Sequence, residues 1–90
     1  MNFELEKKFK KDIEDIQDKK LIENLKKTII KVQEAQTMRD LSHVKKLEGY
    51  KTYYRIDISD YRIGLEIRDN ILYFVRFLPR KDIYKYFPPH

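Results

Sequence analysis

Cysteine is absent from the 90 residues, so the chain has no disulfide framework, no zinc–thiolate site and no thiol nucleophile. Histidine occurs only at His43 and His90, too sparse and too far apart to suggest a metal centre, and no cofactor is expected. No apolar run approaches the length that spans a bilayer, and the opening MNFELEKKFKK lacks the hydrophobic core of a signal peptide. The expectation is a soluble, cytoplasmic protein with no membrane partner. Repeats and low-complexity tracts are missing too, and nothing in the composition is disordered or collagenous.

What is present suffices for one domain, residues 1–90. The chain lies near the small end of those that fold unaided, and with 41% apolar residues it can build a core. The net charge of +5 is modest, and its distribution says more than its size. Residues 1–50 carry 12 basic and 10 acidic groups, and the basic ones are mostly lysine; residues 51–90 carry eight and five. Five of the six arginines and six of the seven tyrosines lie in that second part. Helical lysines read first as a solvated face. Arginine and tyrosine gathered on a sheet suit phosphate and base contact, because a guanidinium grips phosphate through two parallel bonds.

Phe3 to Leu5 reads as a short strand or as the lead into a helix. From Lys7 to Asp18, Phe9, Ile13 and Ile16 recur at helical spacing. A second helix spans Lys20 to Ala35, with Ile22, Leu25, Ile29 and Val32 on one face. The pair predicts an amphipathic helical hairpin, followed by a connector from Thr37 to Gly49. Three strands come next: Tyr50–Ile58, Tyr61–Ile67 and Ile71–Leu78. The two-residue turn Ser59-Asp60, with Asp60 accepting the left-handed conformation, pairs Ile58 with Tyr61, Ile56 with Ile63 and Tyr54 with Leu65. A three-residue loop, Arg68-Asp69-Asn70, is preferred for the second hairpin, because a two-residue loop sets Ile63 against Arg76. A short helix begins near Arg80 and stops at Pro88-Pro89. The fold class is α+β, with the helical hairpin on one face of a small antiparallel sheet of three to four strands.

That register predicts an outer face carrying Lys51, Tyr53, Arg55 and Asp57, then Arg62, Gly64 and Glu66, then Leu72, Phe74 and Arg76. The plain reading pairs Arg62 with Asp57 and leaves the other arginines as solubilising groups. The alternative takes Arg55, Arg62 and Arg76 around the gap at Gly64 as a groove for an anion. Exposed Leu72, Phe74 and Leu78 then call for a covering partner.

At this point KKLEGYKTYYRIDISDYRIGLEI followed by ILYFVRFLPRKDIYKYF resembles the RelE/ParE superfamily of bacterial type II toxins. The likeness covers nearly the whole chain: two amphipathic helices, a KLxG lead into the sheet, the YRIxxxDYRI hairpin and a final RKDIY. It implies a toxin inhibited by a cognate antitoxin, through which the pair binds operator DNA. RelE-like members are ribosome-dependent endoribonucleases that cut mRNA in the A site without a metal; ParE-like members poison DNA gyrase. A degenerate member would bind its antitoxin without cutting.

For the RelE chemistry the resemblance implies that Arg62 holds the scissile phosphate and Arg80 stabilises charge on the phosphate or the leaving oxygen. It implies that Tyr84 stacks on a base, and that Arg55 adds charge from the first hairpin strand. Tyr53, Arg76 and Lys81 complete the expected RNA surface. Two departures stand out. Leu78-Pro79 replace the Gly-His that precedes the last arginine in many relatives, and Tyr53 stands where a strand lysine is expected as general base. Lys51, on the same predicted face, is the candidate substitute.

Overall fold

The computed structural model describes residues 1–89; His90 lies outside them. The chain runs β1 (Phe3–Leu5), α1 (Lys7–Glu14), α2 (Lys19–Glu34), a 3-10 turn (Met38–Asp40), β2 (Val44–Lys46), β3 (Tyr53–Ile58), β4 (Tyr61–Arg68), β5 (Ile71–Pro79) and α3 (Ile83–Tyr86). The strands form one sheet in the order β1-β5-β4-β3-β2. β1 is parallel to β5 and the other pairs are antiparallel. The sheet is therefore mixed and five-stranded, not the expected antiparallel sheet of three to four strands. The additional strand, β2, comes from the connector, where Val44 pairs with Ile56 and Lys45 with Arg55. β3 starts at Tyr53, not Tyr50, and α3 is confined to four residues beyond a turn at Arg80.

The Asp18 carboxylate accepts from the Leu21 backbone N–H at 3.1 Å and caps α2. Leu21, Leu25 and Val32 then recur on the buried face, while Lys26, Lys27 and Lys31 point to solvent. Phe9 of α1 is fully buried and meets Phe74 edge-on, with ring centroids 5.4 Å apart. With Ile56, Ile63, Leu65 and Phe77 these residues form the main core between the helices and the sheet.

The β3–β4 register is as the alternation predicts, but the left-handed residue of its turn is Ser59 (φ 52°), not Asp60. The β4–β5 register differs. The loop has two residues, Asp69 and Asn70, both left-handed as a tight hairpin requires. A bulge at Val75 then shifts the pairing, so Leu65 faces Phe74 while Gly64 faces Arg76 and Ile63 faces Phe77. The bulge removes the clash between Ile63 and Arg76 that had argued for a longer loop. The two-residue loop, for its part, sets Leu72 opposite Ile67 and Phe74 opposite Leu65, which moves both from the expected outer face to the main core, where they are fully buried.

The outer face is not bare. Leu47, Val75, Ile83 and Phe87 make a second buried cluster there, and Leu78 is partly buried against it. The gap at Gly64, expected to open onto a groove, is filled by Phe87: a Cβ built on Gly64 would fall 2.6 Å from Phe87 Cγ. No helix of the described residues is long and apolar enough to cross a membrane.

Candidate functional site: an arginine–tyrosine cluster

The tight turn at Ser59-Asp60 sets Arg62 across from Asp57, and strand alternation brings Arg55 to the same face two residues earlier. Lys45 arrives from the other side, opposite Arg55 on β2. Burial of Ile83 and Phe87 fixes α3 against this face, so that Tyr84 between them turns outward, half exposed. Arg55 Nη1 donates to the Tyr84 hydroxyl oxygen at 2.6 Å. That bond is the main reason the Arg55 pKa is raised above its usual value, against an opposing effect of burial.

Asp57 is the only acid in the cluster. Its Oδ1 lies 2.9 Å from Arg62 Nε and 3.4 Å from Arg55 Nε, and Lys45 Nζ stands 3.9 Å from Oδ2. Arg55 Nε and Asp57 Oδ1 are buried without an aligned hydrogen bond, so their contact is one of charge. Arg62 is further held by Nη1, which donates to the carbonyls of Ser59 (3.0 Å) and Tyr61 (2.9 Å). Its side chain is only 12% exposed, against 29% for Arg55. Arg62 is thus the inner support of the cluster, and Arg55 with Tyr84 forms its accessible edge. A groove of about 540 Å³ opens at that edge, with Lys45, Lys46, Tyr50, Arg55, Tyr84 and Phe87 among its lining residues.

The other expected site residues are distributed differently. Arg80 and Lys81 are exposed in the turn between β5 and α3, and the Arg80 backbone N–H donates to the Asp60 carbonyl at 2.7 Å, tying that turn to the β3–β4 hairpin. Lys51 is exposed in the bend ahead of β3 and does not line the groove. Tyr53 packs edge-on against Phe87 and Tyr50, and burial followed by Glu66 raises its pKa. Arg76 is already occupied: its Nε and Nη2 donate to Asp12 of α1 at 2.8 and 3.0 Å, and its guanidinium stands 5.2 Å from the Tyr86 ring centroid. Lys45 escaped the sequence reading; Val44-Lys45-Lys46 is too short a strand to mark it by any local pattern. Among the described residues, no group of three or more His, Cys, Asp or Glu side chains could hold a metal ion.

A larger groove of about 640 Å³ lies between the end of α2 and β3. Val32, Ala35, Leu41 and Ile56 line it together with Lys31, Glu34, Asp40 and His43, and Asp57 also lines it.

Residues 3–84 match the family described as ParE toxin of type II toxin-antitoxin system, parDE. The chain is 39% identical over 83 residues to Toxin RelE3 of Methanocaldococcus jannaschii, an alignment spanning 91% of this chain and 93% of that one. The toxin of a RelB-RelE antitoxin-toxin complex from Methanococcus jannaschii superposes with a TM-score of 0.78 at 35% identity, over 98% of this chain and 100% of that one. YafQ from E. coli shares the fold, with a TM-score of 0.63 at 18% identity over 92% of this chain and 97% of its own.

Proposed function

The chain belongs to the ParE toxin family of type II toxin–antitoxin systems, within the RelE/ParE superfamily, and we propose that it is a ribosome-dependent endoribonuclease that cuts mRNA in the A site. The observation that carries this reading is the hydrogen bond from Arg55 to Tyr84, set beside Arg62 and Lys45 on one face. Likeness to a protein named RelE3 supports it.

The chemistry is attack of a ribose 2′-OH on its own phosphodiester. The bond from O2′ to phosphorus forms and the bond from phosphorus to O5′ breaks. The O2′ proton leaves to a base, and O5′ takes a proton as it departs. Charge builds on the phosphoryl oxygens in the transition state, where preorganised guanidinium groups lower the barrier. Arg55 supplies that charge at the accessible edge, Arg62 from behind it, and Lys45 raises the local positive potential. Tyr84 accepts from Arg55 through its oxygen, which leaves its own O–H free to be donated to the leaving O5′ while the ring offers a stacking surface. Arg80 and Lys81 in the adjoining turn extend the basic track for the RNA backbone. Lys51 is retained as the candidate base; Lys51→Met, folded but without cleavage, would support that role. The cognate antitoxin inhibits by covering this face, and the complex binds operator DNA through the antitoxin.

One observation favours a second reading, inhibition of DNA gyrase: the matching family is described by its ParE members. Induced expression of the wild type and of Arg55→Ala/Tyr84→Ala in a bacterial host, with mapping of mRNA 5′ ends on ribosomes, separates the two. A-site cuts that disappear in the folded double variant support the nuclease. Growth arrest with intact mRNA and an induced DNA-damage response would move the protein to gyrase, and absence of arrest would leave a member that only binds its antitoxin.

A further inference from the structure

Asp57 has no part in the reaction just described, and a carboxylate in the middle of a phosphate-binding face works against binding. It takes up guanidinium surface and subtracts one unit of positive charge from the potential offered to RNA. Yet the whole cluster is arranged about it. Its Oδ1 lies between Arg55 Nε at 3.4 Å and Arg62 Nε at 2.9 Å, and Lys45 flanks Oδ2 at 3.9 Å. Without an anion between them, two like charges on neighbouring strands repel.

The remaining contacts complete the geometry. Arg55 spends Nη1 on Tyr84, and Arg62 spends Nη1 on the Ser59 and Tyr61 carbonyls. Each Nε lies against Asp57 as a charge contact without an aligned hydrogen bond, so among the described residues the Nε and Nη2 groups of both arginines are the guanidinium donors that form no hydrogen bond. Three cations against one carboxylate leave a net charge of +2. A phosphodiester carries one negative charge and the pentacoordinate state formed by 2′-oxyanion attack carries two, so the cluster matches the transition state in charge better than the bound substrate. Binding strength that does not discriminate between those two states does not accelerate the chemical step.

We propose that Asp57 is a positioning residue that locks Arg55 and Arg62 into a single cradle for one phosphodiester, at the expense of affinity for RNA. The cradle itself is a statement about geometry; only its effect on cleavage rests on the nuclease reading.

The test uses the full chain and Asp57→Asn, which keeps the shape and removes the charge, with Lys45→Met as a control that alters cluster charge without touching the space between the arginines. Three quantities are read: the Arg Nε–Hε signals by NMR, the affinity for a short single-stranded RNA across a salt series, and the rate of mRNA cleavage on ribosomes. In Asp57→Asn the Arg55 and Arg62 Nε–Hε signals should broaden or exchange faster. RNA should bind about threefold tighter, as one fewer negative charge several ångströms away implies, and the saturated cleavage rate should fall about tenfold or more through lost alignment. Lys45→Met should weaken binding and leave the arginine signals in place. Unchanged arginine signals in Asp57→Asn would overturn the proposal, as would binding and cleavage falling together with a lower Tm, the pattern of a merely structural residue. If the wild type does not cut mRNA, the nuclease reading fails on its own, while the NMR and binding results still decide whether the cradle exists.

Discussion

Phe87 lies directly against the backbone of Gly64, so closely that a methyl group at Gly64 would fall within 2.6–2.8 Å of three of its ring carbons. Phe87 is fully buried and cannot swing into solvent without opening the outer cluster. Gly64→Ala should therefore strain the seat of α3 and destabilise the fold by about 2 kcal/mol, as overpacking does. For a domain of this size that corresponds to a fall in Tm of roughly 10 °C. Thermal unfolding measures it, and Phe87→Leu in the same chain should restore part of the loss. An unchanged Tm in Gly64→Ala would show that the ring does not occupy this position.

A second prediction concerns the join between α1 and β5. Asp12 accepts from both Arg76 Nε and Nη2, and also from the Phe77 backbone N–H at 2.9 Å, with side-chain exposures of 16% for Arg76 and 10% for Asp12. Removing the carboxylate strands a guanidinium and a backbone donor together, which costs about 3 kcal/mol. Asp12→Ala should thus lower stability in urea by that order, while the double variant Asp12→Ala/Arg76→Met, which also removes the charge left stranded, should cost clearly less. Equal losses would mean the pair acts only through packing.

The contrast between these two sites shows what the chain discloses locally. The β3–β4 register was legible because every inward position from Tyr54 to Leu65 is apolar, and a slip of one residue would bury Arg55 and Arg62. Hence Arg55, Asp57 and Arg62 could be placed on one face from the alternation, whereas Tyr84 was joined to them only through the family resemblance. The β4–β5 register is less legible, although the conflict it has to resolve is plain in the sequence. Ile63 does avoid Arg76, but through the bulge at Val75 and not through a longer loop. A bulge inserts one residue without a sequence mark of its own, so a longer loop is read in its place, which inverts the faces of Leu72 and Phe74. The role of Asp12, 64 positions before Arg76 in the chain, and the arrival of Lys45 beside Arg55 depend on long-range packing that no local pattern carries. A three-residue strand such as β2 is also too short to show alternation with any force.

Tyr53 gives a pH dependence with a definite sign. Its pKa is raised above 10.0, first by burial and then by the nearby Glu66 carboxylate. The folded protein therefore holds the phenolic proton at a pH where the unfolded chain has begun to lose it. The resulting stabilisation is fully present below about pH 10 and is lost as the pH rises through the folded-state value. Stability should decline above pH 10, and Tyr53→Phe should flatten that decline. Chemical unfolding of both proteins between pH 8 and pH 11, on the order of the window set by tyrosine ionisation, measures the difference. Parallel pH curves would assign the alkaline loss to other groups.

The last prediction separates the two uses of Tyr84, its ring and its hydroxyl. The residue is 49% exposed, so Tyr84→Phe should leave stability within about 0.5 kcal/mol. It retains the stacking surface but deletes the oxygen that accepts from Arg55 and the proton available to the leaving O5′. If the hydroxyl acts as general acid, cleavage on ribosomes should fall by about 100-fold, the low end of the range for such a group, while RNA binding is nearly unchanged. Tyr84→Ala should lose binding as well, since stacking on an aromatic ring contributes about 1–3 kcal/mol per base. Single-turnover cleavage and RNA titration on both variants distinguish these effects. Full activity in Tyr84→Phe would remove the hydroxyl from the chemistry and leave Tyr84 as a stacking platform alone.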